Sequence, residues 1–164
     1  MLLGDGSPTR HLQLLTNQET KIKLISMQLD SFAAKEGPRE IKQLKGPLIR
    51  RQVWIKSKNK NLAWAESWWN AEEVSENLKA EDEPIWKNLT QDRSELFREV
   101  DRISLVNSEW LEDKFCFKGP FWSRNYRFFR DKKPLTIIRE VFNPHLETLL
   151  GPSGINKFTN LYSS

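Results

Sequence analysis

The side chains best suited to chemistry in this chain are charged ones set inside strand-like runs. LIRRQVWIK (48–56) carries Arg50 and Arg51, and FWSRNYRFFRDKKPLTIIREVFNP (121–144) carries Arg124, Arg127, Arg139 and Glu140 among aromatic and branched residues. An ionised group leaves water only when a partner replaces its hydration, so such residues in a packed sheet need one another or a ligand. Alternate residues of a strand share a face, which puts Arg51 with Val53 and Ile55, and Glu140 with Ile138 and Phe142. If those faces are the inner ones, a guanidinium and a carboxylate both enter the interior. They could pair directly as a buried bridge. Alternatively they bound a pocket in which arginine grips an anion and glutamate meets a hydroxyl or ether oxygen, with aromatic rings as walls. Arg124 and Arg127 fall on opposite faces of their strand, and each reads as solvent-facing or stacked on a ring. The tryptophans of AESWW read as core, and Asp92, Glu95, Glu99 and Asp101 as a solvated face.

The elements that must position these residues follow from periodicity and turn chemistry. Ser7-Pro8 starts a short helix to about Leu15, because serine can cap free amides and proline at the first helical position loses no hydrogen bond. KIKLISMQL reads as a strand and AAKEGPREIKQLKGP as a polar connection. LIRRQVWIK and LAWAESWW, joined by SKNKN, form a first hairpin. NAEEVSENLKAEDE, opening on an asparagine cap, reads as a surface helix or helical turn, and PIWKNL as a further turn. ELFREVDRISL alternates as a strand, SEWLEDKF adds a helical turn, and the 121–144 segment supplies a long hairpin around RDKK. The expected fold is α+β: a single antiparallel sheet with helices packed on one side.

Composition bounds the rest. With 164 residues, 38% hydrophobic and 11% aromatic, the chain is expected to form one domain over residues 1–150, followed by a Gly/Pro/Ser-rich tail at 151–164. No apolar run reaches the roughly 20 residues that span a bilayer and the first residues lack a secretory layout, so a soluble compartment is expected. One cysteine, Cys116, and two distant histidines make a poor metal set, and no cofactor or metal is expected. The net charge of +4 comes from 26 basic residues interleaved with 22 acidic ones, without the concentrated block that nucleic acid would favour.

The motifs resemble the chorismate-pyruvate lyase family, which makes 4-hydroxybenzoate for quinone synthesis. The likeness runs in order through LLGDGSPTRHLQLL, LIRRQVWIKSKNKNLAWAESWW, EPIWKNL and FWSRNYRFFRDKKPLTIIREVFNP. It implies an antiparallel sheet with helices on one side, enclosing an aromatic ligand beneath flaps. Carried over by position, it makes Arg51 the substrate-binding arginine and Glu140 the catalytic glutamate, with main-chain groups at Pro8 and Ile85 also lining the site. Glu140 would bond to, or protonate, the oxygen that becomes the phenol. The implied activity is a cofactor-independent lyase acting on chorismate as a monomer, in the cytoplasm or a plastid stroma. A non-catalytic module that senses small aromatic acids is the alternative. Two departures stand out: Pro8 has no N–H to offer a ligand, and the chain begins almost at LLGDGS, which suggests a shortened or mis-assigned start.

Overall fold

Six strands follow one another in the order β1-β2-β3-β6-β5-β4 in one wholly antiparallel sheet, seen in a computed structural model that describes residues 7–90 and 95–150. The strands are β1 (Lys21–Leu29), β2 (Leu48–Ser57), β3 (Lys60–Asn70), β4 (Phe97–Val106), β5 (Phe121–Arg130) and β6 (Lys133–Phe142). The helices are α1 (Pro8–Thr16), α2 (Ala33–Glu36), α3 (Val74–Asn77), α4 (Ile85–Thr90), α5 (Glu109–Phe115) and α6 (His145–Leu149), with a 3₁₀ turn at Arg39–Gln43. The two hairpins read from sequence, β2–β3 and β5–β6, meet in the middle of the sheet through the β3–β6 ladder. That junction brings residues from the first third of the chain beside residues near its end.

The α+β class and the single antiparallel sheet stand as expected; the helices, expected on one side, cover both faces. On the face bearing Val53, Ile55, Ile138 and Phe142, Leu12 of α1 and Leu146 of α6 close one end, and Leu78 just after α3 and Leu89 of α4 close the other. On the opposite face, Trp54, Trp64 and Val141 pack against Leu111 and Phe115 of α5, while Trp68 and Ile137 pack against Ala33 and Ile41. The reason is legible in β6: Ile137, Ile138, Val141 and Phe142 are all buried, so both sides of this strand demand cover. The stretch at 33–47, read as a polar connection, supplies part of that cover. Its Ala33 and Ile41 are buried among polar neighbours too sparse in apolar residues to show a period.

Several local readings shift. Ser7 does not cap α1 through its side chain; its hydroxyl lies 2.6 Å from that of Thr9, and its carbonyl accepts from His11 N–H. Asn70 does receive the amides of Glu72 and Glu73 on its side-chain oxygen, yet the helix that follows shrinks to the four residues of α3. In β4 the strict alternation breaks at a bulge between Val100 and Arg102, and Asp101 turns to Arg127, which binds its carboxylate through two nitrogens. Asp101 is therefore half-buried in an ion pair rather than solvated, while Glu95 and Glu99 are exposed as expected. Asp92 and the tail at 151–164 lie outside the described residues.

Candidate functional site

Register places the candidate residues in two adjacent rows on one face. Arg51 of β2 stands opposite Ser67, Ser67 opposite Ile138, and Ile138 opposite Tyr126. The next row runs Val53, Ala65, Glu140, Arg124. Two strand spacings and two residues separate Arg51 from Glu140, about 12 Å between Cα atoms. Between them lie Ala65 and Ser67, whose short side chains leave the middle of the sheet low. A cavity of about 510 Å³, including its open mouth, fills that depression. Pro8, Arg51, Ile85 and Glu140 all line it, so the four site residues expected from sequence are brought together.

Arg51 and Glu140 do not pair with one another; each is held by a different part of the chain. Arg51 is 2% exposed, and its Nε and Nη2 donate to the Glu81 carbonyl at 2.8 and 2.6 Å, with Nη2 also reaching the Glu83 carbonyl at 3.0 Å. Burial pushes this guanidinium down to about 10, against the opposing fields of Glu81 and Asp82, and it stays charged at neutral pH. The carbonyls that hold it belong to the loop entering α4. Asn88 fixes that loop: its amide oxygen accepts from Ala80 N–H at 2.9 Å and its amide nitrogen donates to the Ala80 carbonyl at 3.1 Å.

Glu140 meets a residue that sequence reasoning placed elsewhere. Arg124, directly opposite across the β5–β6 ladder, donates to Oε2 through Nη2 at 2.6 Å and Nε at 3.2 Å. Tyr126 donates its hydroxyl to Oε1 at 2.8 Å. Arg124 is buried and lies over the rings of Tyr126 and Phe142, so the stacked half of its expected reading stands and the solvent-facing half does not. Burial works against the Arg124 charge, but Glu140 and Tyr126 outweigh it and raise the guanidinium above its ordinary value. Burial, then the Glu140 charge, push the Tyr126 hydroxyl well above its own, so it remains a donor. Both Glu140 oxygens thus accept hydrogen bonds from buried donors, Oε2 from Arg124 and Oε1 from Tyr126.

Arg98 also lines the cavity, its guanidinium 5.6 Å from the Tyr126 ring centre. His11 lies where burial, and then the fields of Arg124 and Arg98 among others, lower its pKa, favouring the neutral imidazole. Trp68 and Trp69 are core as expected, with indole N–H groups bonded to Asp30 and Ser67.

The six-stranded antiparallel sheet resembles, in fold, domains of bacterial transcriptional regulators. The effector domain of PhnF from Mycobacterium smegmatis superposes with a TM-score of 0.62 at 11% identity, over 87% of this chain and 91% of that one. YydK from Bacillus subtilis, a possible transcriptional regulator, gives 0.62 at 12% identity over 80% of this chain and 60% of its own. At such identity the likeness is one of fold alone. By sequence, the chain belongs to the family described as chorismate pyruvate-lyase Rv2949c-like, which it matches over residues 2–150. Relatives include the uncharacterised ycf21 proteins of Cyanophora paradoxa, 38% identical over 88% of this chain and 75% of the relative, and of Porphyra purpurea, 36% identical over 90% and 80%.

Proposed function

We propose that this protein is a lyase that eliminates pyruvate from chorismate to leave 4-hydroxybenzoate, for quinone synthesis. The observation that carries the reading is the facing of Arg51 and Glu140 into one cavity at a separation suited to a six-membered ring. Arg51 grips the ring carboxylate in place of the Glu81 and Glu83 carbonyls, exchanging neutral acceptors for a charged one. Glu140, held by Arg124 and Tyr126, accepts a hydrogen bond from the ring hydroxyl, which is the oxygen that becomes the phenol. Ile85 closes the wall from the start of α4, and Pro8 closes it from α1 without donating a hydrogen bond.

The elimination breaks the bond between the ring and the ether oxygen, and that bond's electron pair leaves on enolpyruvate. The neighbouring ring carbon, which carries the hydroxyl, loses its hydrogen, and the electrons of that bond complete the aromatic ring. The departing oxygen fragment gains a proton and becomes pyruvate. Residues Arg51 and Glu140 contribute orientation and a fixed electrostatic frame. The reaction belongs in the plastid stroma or the cytoplasm, a placement supported by the algal relatives named ycf21. No helix among the described residues is long and apolar enough to cross a membrane.

The test is direct. Purified protein given chorismate is expected to release pyruvate and 4-hydroxybenzoate in equal amounts, read by a coupled pyruvate assay and chromatography. The second reading, a sensor of small aromatic acids, is favoured by the regulator effector domains that share the fold. It would show quenching of tryptophan fluorescence by either ligand and no pyruvate.

A further inference from the structure

Arg98 has no part in the two-point grip just described, yet it belongs to the same wall. It stands on β4, two strands beyond Glu140, opposite Phe128, which is in turn opposite Thr136 of β6. Counting four strand spacings and two residues puts its Cα about 20 Å from that of Arg51, with Glu140 laterally between them. Both arginines line the cavity, one from β2 and the other from β4. Arg98 is only partly buried and is steadied by the Tyr126 ring, whose hydroxyl bonds to Glu140. Its position is thus tied to the carboxylate that would hold the ring hydroxyl.

A ligand with one acid group and one hydroxyl is met by Arg51 and Glu140, while a ligand with a second acid group also reaches the Arg98 end of the same cavity. We infer that Arg98 receives the second carboxylate of a dicarboxylic ligand, so the pocket selects a ring acid bearing an acidic side arm. The inference rests on the lyase reading and sharpens it: the side arm is the enolpyruvyl group, and Arg98 is a substrate-binding residue that product no longer occupies. Guanidinium is suited to the task because it presents paired donors to a carboxylate while its flat face stays on the tyrosine.

The experiment compares two probes on three proteins. Chorismate and 4-hydroxybenzoate are titrated against wild type, Arg98→Gln and Arg51→Gln, with tryptophan fluorescence for binding and pyruvate release measured separately. Arg98→Gln is expected to weaken chorismate by about tenfold or more and 4-hydroxybenzoate by less than about threefold; Arg51→Gln weakens both. Retained 4-hydroxybenzoate binding shows that Arg98→Gln has folded. Equal weakening of both ligands, no change in either, or a wild type that binds neither overturns the inference. Arg98-dependent chorismate binding without pyruvate release supports the inference and defeats the lyase reading. Pyruvate release with a KM indifferent to Arg98→Gln does the reverse.

Discussion

Glu140→Gln is expected to lower pyruvate release from chorismate by about a hundredfold or more while the chain still folds, because it removes the charge that the ring hydroxyl meets and keeps the shape. The substitution has a structural cost as well. Arg124 is fully enclosed, and its short ion pair with Glu140 helps to replace its hydration. Removing one partner of such a pair costs about 3–5 kcal/mol, so the melting temperature falls too. The two effects separate in a cycle. Arg124→Met alone strands the carboxylate and is expected to destabilise by a similar amount, whereas Arg124→Met with Glu140→Leu fills the space with apolar groups and recovers most of the lost stability. The double variant remains inactive. Recovery of stability together with activity would mean that the pair is structural and that Glu140 has no part in turnover.

The second large effect is expected at Arg51. Arg51→Met is expected to weaken 4-hydroxybenzoate by about tenfold to a hundredfold, since it deletes the hydrogen bonds made to a charged acceptor. Arg51→Lys restores charge without the planar fork and is expected to recover only part of that loss. Because the same guanidinium holds the Glu81 and Glu83 carbonyls, Arg51→Met also frees the loop into α4, and amide exchange at residues 80–83 accelerates. Asn88→Ala, which loosens the loop from its other anchor, is the control. It is expected to speed exchange and to leave most of the affinity in place. If Asn88→Ala weakens the ligand as much as Arg51→Met, loop order rather than the guanidinium governs binding.

Much of this arrangement is legible in the chain, and the reasons differ by element. Branched and aromatic runs mark all six strands, and period-two parity alone puts Arg51 and Glu140 on faces rich in apolar residues. What parity could not reveal is the partner of Glu140. Counting back from the turn, Arg130 faces Lys133 and Phe129 faces Pro134, but Phe128 faces Thr136, because one extra residue enters β6 at a bulge. Without that residue Arg124 would stand opposite Arg139; with it, Arg124 meets Glu140. The bulge at Asp101 acts likewise in β4, converting a residue of the solvent row into the partner of Arg127. Cover on the second face was missed because 33–47 buries only isolated apolar residues from short helical turns, which leave no periodic signature. The anchoring of Arg51 was missed because its partners are main-chain carbonyls, which no side-chain pattern announces.

A crystal structure of the protein bound to 4-hydroxybenzoate tests the central claim most directly. The expected density places the ring between β2 and β6, its carboxylate on the Arg51 guanidinium with the Glu81 and Glu83 carbonyls displaced, and its hydroxyl within hydrogen-bond reach of Glu140. A ligand bound elsewhere, or one seated in the cavity while Arg51 keeps both carbonyls and Glu140 touches only Arg124 and Tyr126, would contradict it.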